Sequence, residues 1–136
     1  MPELDRLLVG YTRAGNWTLG QACRHLAMVI EFTIDGSAEL GPHVLEEHAR
    51  SVVKRRLLKS GVMASGIDVP GSPMPPAGLD ERVEAERLRQ AIRRFLDHPG
   101  PHAAHPFLGV LEPAEYHRFH CIHAAHHLSH LRDTAV

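Results

Sequence analysis

Cysteine is scarce in this chain, and a long apolar run is missing. The 136 residues contain two cysteines, Cys23 and Cys121, which belong to no CxxC pair. Their spacing excludes a zinc knuckle and a thioredoxin-like motif, and it favours a reducing compartment. No apolar run approaches the roughly 20 residues of a membrane span, and the N-terminal Met1–Asp5 carries acid where a secretory signal carries base. We therefore expect a cytoplasmic protein with no membrane partner.

An excess of charge of one sign is missing as well. The formal net charge is -1, whereas nucleic-acid binding needs a broad positive surface. One local basic cluster, Lys54-Arg55-Arg56 with Lys59, is interpreted as a solvated helix face, so no nucleic-acid partner is expected. Apolar residues make up 43% of the chain, and its length fits a single domain over residues 1–136 with a core of its own.

Helical patterns cover most of the sequence. Thr18-Leu19-Gly20-Gln21 is a capping box, which predicts a helix that runs through Phe32 and ends near Asp35-Gly36. A first helix is predicted from Leu4 past Tyr11, with its end near the Gly15-Asn16 turn. Other helices are predicted from His43 to about Lys59, from Asp80 to about His98 and from Pro113 to about Arg132. In the Asp80 helix, Val83 should be buried and Glu84 exposed. Prolines and glycines between residues 61 and 78 predict a long loop, and no segment alternates with period two, so no sheet is expected.

Histidine, in contrast, is abundant. Five of the 12 histidines lie between His120 and His130. His123 and His127 are four residues apart, so a helix places them one turn above each other on one face. A helical projection puts them about 40° apart, in the direction of Tyr116 and Leu131, and we favour this pair as metal ligands. His126 and His130 have the same spacing about 60° away and remain the alternative.

A third ligand is needed because one helix face cannot surround an ion. His25 lies on the apolar face of the Thr18 helix, and an antiparallel bundle would bring it to the same centre. A lone buried histidine is more often satisfied by one hydrogen bond, but several buried unpaired imidazoles would cost more than about 1 kcal/mol each. Glu31 and Glu115 are candidate acceptors for the second ring nitrogens. The remaining histidines are interpreted as neutral loop, cap or surface residues.

Three segments occur together in this chain, and they carry a family resemblance. They are Asn16-Trp17-Thr18-Leu19-Gly20-Gln21 with His25-Leu26-Ala27, then His105-Pro106-Phe107-Leu108-Gly109, then His120 to Leu128. The chain resembles the DinB/YfiT-like metalloenzyme superfamily, in a branch with HPFxG and HxxHxxHHL motifs. The resemblance implies an all-α, DinB-like four-helix bundle with an up-down-down-up connection. It also implies a divalent metal ion, zinc or nickel ahead of iron or manganese, held by His25, His123 and His127.

The resemblance also suggests a function. Relatives in that superfamily include metal-dependent thiol transferases and a maleylpyruvate isomerase, which implies a metal-dependent transferase or hydrolase-like enzyme acting on a small molecule such as a low-molecular-weight thiol. A homodimer is consistent with this resemblance. Trp17 and Phe107 are expected to line the entrance, and no catalytic residue can be named. The alternative is a non-catalytic, metal-stabilised helical bundle that serves as a binding or dimerisation module.

Overall fold

The computed structural model describes residues 2–36, 47–63, 75–105 and 108–133, and in these ranges the chain is mostly helical. Five helices and a two-stranded sheet follow in the order α1 (Pro2–Val9), β1 (Tyr11–Arg13), α2 (Leu19–Asp35), α3 (Glu47–Ser60), α4 (Glu81–Asp97), α5 (Pro113–Leu128) and β2 (Leu131–Asp133). No helix in the described part of the chain is long and apolar enough to cross a membrane.

Helix α2 begins and ends where the sequence predicts. The Thr18 hydroxyl accepts from the Gln21 N–H at 3.2 Å, and the Gln21 side chain accepts from the Thr18 N–H at 2.9 Å, which completes the capping box. At the other end the Gly36 N–H donates to the Phe32 carbonyl at 2.7 Å. The side chains that α2 buries include Cys23, Leu26 and Ile30, whereas Met28, Val29 and Phe32 are only partly covered. His25 lies at the margin of that face.

Helix α4 packs along α2, and the side chains that it buries form part of the core. Asp80 caps its start by accepting from the N–H groups of Arg82 and Val83. Gly20 of α2 allows a close approach, because a Cβ there would lie 3.3 Å from the Leu79 Cβ. Two details of the predicted face are wrong: Val83 is 61% exposed and Glu84 only 8% exposed. The packing against α2 rotates the buried stripe of α4 towards Glu84, Leu88 and Ala91.

The prediction of no sheet is wrong. Helix α5 ends at Leu128, and residues 131–133 then pair antiparallel with Tyr11–Arg13 instead of extending the helix to Arg132. The first helix is correspondingly shorter than predicted, since it ends at Val9. Strands of three residues are too short to show a period-two pattern in sequence, and only the tertiary fold brings these two segments together.

The arrangement of the longer helices is consistent with a helical bundle, which is the coarse part of the predicted fold. Helix α2 contacts both α4 and α5, and α3 contacts α5. The Gly61 N–H donates to the Leu57 carbonyl at 2.9 Å, at the predicted end of α3. The predicted start of that helix at His43, and most of the predicted 61–78 loop, lie outside the described residues. The up-down-down-up connection stays a prediction.

Candidate metal centre

Three predicted ligands, His25 of α2 and His123 and His127 of α5, lie together between the two helices. One ring nitrogen from each of them lies within 4.8 Å of the other two. The His123 Nε2 lies 3.1 Å from the His25 Nε2 and 3.0 Å from the His127 Nε2. His123 and His127 are neighbours on one helix face, whereas His25 is 98 positions earlier than His123, so α2 must pack against α5 to complete the triad. We call these three residues the histidine triad.

Aromatic rings enclose the triad on two sides. The Phe119 ring stacks on His123, with centroids 5.4 Å apart and an interplanar angle of 15°, and His123 is only 6% exposed. Trp17 stacks on His127 at 5.3 Å and 13°, and its ring also lies 5.0 Å from that of His25. Trp17 therefore covers two of the three rings at once. Phe107, its predicted companion at the entrance, lies outside the described residues.

Burial keeps the triad neutral. Desolvation lowers the pKa of His25 to about 4 and that of His127 to about 3, and in His127 repulsion from His25 adds to the effect. Desolvation also lowers the pKa of His123 well below its usual range, and His127 and His25 lower it further. At neutral pH all three imidazoles are uncharged, which is the form that binds metal ions.

The hydrogen-bonding capacity of the triad fits a metal ion better than it fits three imidazoles alone. A neutral imidazole has one N–H and one ring lone pair. His123 Nε2 faces two other Nε2 atoms, so it can form a linear hydrogen bond with only one of them. A cation that receives all three Nε2 lone pairs removes this conflict. Metal–nitrogen bonds of about 2.0–2.1 Å place two ligand nitrogens at most about 4.2 Å apart. The two distances from the His123 Nε2, 3.0 and 3.1 Å, satisfy that limit, and the third pair, His25 and His127, lies within 4.8 Å.

The two carboxylates considered as acceptors for the triad are engaged elsewhere. Glu31 accepts two hydrogen bonds from Arg87, at 3.0 and 2.9 Å. Glu115 accepts from the Glu112 N–H at 2.9 Å, and its other oxygen lies 3.5 Å from the Lys54 ammonium. Neither of these interactions involves the triad. Within the described residues, the potential metal-binding group consists of three histidines without a carboxylate, and it brings no negative charge of its own.

A further group of imidazoles beside the triad was not singled out from the sequence. The His120 ring stacks on Tyr116 with centroids 5.6 Å apart, and its Nε2 lies 3.3 Å from the Thr33 hydroxyl. His105 Nδ1 accepts from the Leu108 N–H at 3.2 Å. Burial lowers the pKa of His120 to about 3 and that of His105 to about 4. The position of His120 three residues before His123, on the same side of α5, was the available signal for its burial.

Comparison with known families corrects the resemblance inferred from sequence motifs. A family model described as "Protein of unknown function (DUF1569)" matches residues 1–134. The assignment to the DinB/YfiT-like superfamily is therefore wrong. One of the three segments behind it, His120 to Leu128, is a set of histidine spacings of three and four residues, which any helix with histidines on one face will show. No curated protein and no solved structure matches the chain.

Proposed function

We propose that this chain, which belongs to the DUF1569 family of proteins of unknown function, binds one divalent metal ion through the Nε2 atoms of His25, His123 and His127. The observation that carries this proposal is the convergence of three neutral imidazole nitrogens from two helices. Imidazole ligands suit zinc and nickel, with iron and manganese as further candidates. The four longer helices would form a bundle around the ion, in a protein that we place in the cytoplasm.

We further propose that the bound ion serves an enzyme acting on a small substrate. Three protein ligands leave a coordination position open, as in catalytic rather than structural zinc sites. When bound, the ion supplies Lewis-acid chemistry and favours the deprotonated form of a water or thiol. The neutral triad leaves the full double positive charge of the ion uncompensated, so an anionic partner such as the thiolate of a low-molecular-weight thiol is favoured. This supports a transferase-like or hydrolase-like reaction.

The chain's own residues have simple roles in this proposal. His123, held in place by Phe119, is the buried ligand, and His25 and His127 flank it. Trp17 covers one face of the His127 ring and also contacts the His25 ring, and the nitrogens of both rings stay directed towards His123. Because the triad is uncharged at neutral pH, metal binding would require little proton release.

A second function is favoured by the position of the triad between distant parts of the chain. An ion there would link α2 to α5, and binding free energy of this kind stabilises the folded state. The protein would then be a metal-stabilised module for binding or for formation of a homodimer, without catalysis. An exchangeable fourth position separates the two functions, because a closed four-ligand site serves only structure.

The first experiment is the metal content of untagged protein, measured by elemental mass spectrometry for the wild type, His25→Ala and His48→Ala. His48 lies on the exposed surface of α3 and serves as the matched control. We expect about one equivalent of metal in the wild type and the control, and a loss in His25→Ala, because two imidazoles bind far more weakly than three. Metal-free wild type after reconstitution with each candidate ion, or full retention in His25→Ala, would contradict the proposed site.

Cobalt substitution then tests the enzymatic form of the proposal. The visible absorption of protein-bound Co²⁺ reports the number and type of its ligands. If the fourth position is open, addition of a small thiol should introduce a thiolate-to-cobalt band in the wild type. A spectrum that is unaffected by thiols and by other small anions would favour the metal-stabilised module.

A further inference from the structure

Two histidines at the end of α5 form a second pair outside the triad. His126 is in the last turn of the helix, and His130 follows in the turn that leads to β2. Their ring centroids are 5.1 Å apart, close to the 4.6 Å between His123 and His127. Both side chains are partly exposed. In the described part of the chain these two rings contact other imidazole rings and Gly15, and their nitrogens have no hydrogen-bond partner there.

The backbone holds His130 beside His126. The Ala14 N–H donates to the His130 carbonyl at 2.7 Å, and the His130 N–H donates to the His127 carbonyl at 3.3 Å. Gly15 lies beside the imidazole, since a Cβ at that position would be in ordinary van der Waals contact with the His130 Cβ and Cγ, at 3.4 and 3.5 Å. The pairing of β1 with β2 begins directly after this turn. The backbone of His130 is therefore held in place before any ligand arrives, which lowers the entropy cost of chelation.

The pair borders the triad. The ring of His126 packs against that of His127, with centroids 5.0 Å apart and an interplanar angle of 76°. His127 thus lies between the buried His123 on one side and the partly exposed His126 on the other. Imidazole rings from His123 to His130 form a continuous row along the end of α5.

We propose that His126 and His130 form a second divalent-cation site, selective for ions that prefer nitrogen ligands, such as nickel, copper and zinc. Two protein ligands leave most coordination positions to water, so this site binds at least about tenfold more weakly than the triad and exchanges its ion readily. It is also the point at which an ion enters on its way to His127. That last role rests on the proposed function of the triad, whereas the binding site itself does not.

The test is a calorimetric titration of metal-free protein with Ni²⁺. The wild type should show two classes of site, one tight and one weak. His126→Ala and His130→Ala should each lose the weak class and keep the tight one, and His25→Ala should do the reverse. The matched control is His117→Ala, an exposed histidine of the same helix, which should keep both classes.

Each outcome of the titration separates the two sites. A weak class that is lost in His130→Ala and present in His25→Ala supports the second site, even if no variant shows a tight class, and in that case only the triad proposal fails. A weak class that survives in both His126→Ala and His130→Ala, or its absence from the wild type, overturns the second site.

The entry role of the second site is tested by stopped-flow quenching of Trp17 fluorescence. Filling of the triad should be severalfold slower in His130→Ala at unchanged tight-site affinity, and an unchanged rate overturns the entry role.

Discussion

At the scale of single residues, Trp17 is the side chain that packs against two members of the histidine triad. It is the chain's one tryptophan, and it contacts the rings of both His25 and His127. Contacts between aromatic rings contribute about 0.5–1.5 kcal/mol beyond burial alone. Trp17 also limits the rotation of both rings, and rigid ligands bind an ion with less loss of entropy than mobile ones.

Replacement of Trp17 should therefore weaken metal binding without abolishing it. We expect Trp17→Ala to raise the dissociation constant for zinc about 3- to 10-fold, which corresponds to the loss of one aromatic contact. Trp17→Phe keeps a ring in the same place and should change it less than twofold. Competition with a chromophoric chelator measures both constants. An unchanged affinity in Trp17→Ala would mean that the histidines are held in place by their helices alone.

The three histidines of the triad could be grouped from the sequence because helix periodicity shows which face of a helix each of them occupies. His123 and His127 share one face by spacing alone, and His25 follows a capping box that fixes the start of α2. The surroundings of the three histidines could not be obtained in this way. The stacking of Trp17 on His127 depends on a chain segment that belongs to no helix, and the contact of His120 with Thr33 depends on the packing of α2 against α5.

At the scale of secondary structure, a hydrogen-bonded clamp holds the N-terminus of α2, the helix that carries His25. The Tyr11 hydroxyl of β1 donates to Glu81 Oε2 of α4 at 2.6 Å and accepts from the Leu19 N–H at 2.9 Å. The same carboxylate oxygen accepts from the Gly20 N–H at 3.0 Å. Backbone N–H groups in the first turn of a helix have no partner within the helix, and here two other elements supply it.

Removal of the Tyr11 hydroxyl should destabilise the fold. In Tyr11→Phe the Leu19 N–H loses its acceptor and Glu81 loses a donor, so we expect the free energy of unfolding to fall by about 1–2 kcal/mol. Denaturant unfolding followed by circular dichroism measures the change. The control is Thr12→Val, at the neighbouring exposed position of β1, which should alter stability by less than about 0.5 kcal/mol. Equal effects of the two substitutions would show that the hydroxyl contributes little.

This clamp also shows which part of the fold the sequence reveals. The signals for α2 and α4 are local, because Thr18, Gln21 and Asp80 act on N–H groups within three residues of themselves. The strands are different, since residues 11–13 and 131–133 form a sheet only after the helices between them have packed. Tyr11 was accordingly assigned to the first helix, and α5 was extended through Leu131, where an apolar residue continues the helical pattern but is buried in β2 instead.

At the scale of the whole molecule, the unusual property is the number of histidines that the fold keeps neutral. Burial is the main cause of the lowered pKa of His25, His105, His120, His123 and His127. In the unfolded chain each of them regains a pKa near 6.5. Between about pH 6.5 and pH 4 the unfolded state thus binds protons that the folded state does not. By linkage, the free energy of unfolding falls as the pH is lowered through this window.

The size of this effect predicts that the protein unfolds at mildly acidic pH. Each histidine that stays neutral in the folded state removes up to about 1.4 kcal/mol of stability per pH unit below its unfolded pKa. Five such residues would exhaust a typical stability of about 5–15 kcal/mol within one to three pH units. We therefore expect the metal-free protein to unfold above about pH 4, before most of its carboxylates are protonated. Bound zinc should move the midpoint to lower pH, because it stabilises the folded state and competes with protons for the triad.

Circular dichroism between pH 7.5 and pH 4 measures this midpoint with and without zinc. His48→Gln, which removes an exposed histidine, should leave it in place. His120→Gln removes a buried imidazole that is outside the triad, so the stability of this variant should depend less steeply on pH between 6.5 and 5, even if the substitution lowers stability at pH 7.5. The slope therefore separates the protonation effect from a loss of packing. A metal-free wild type whose stability is constant from pH 7 to pH 5 would show that these imidazoles are solvated and able to accept protons in the folded state.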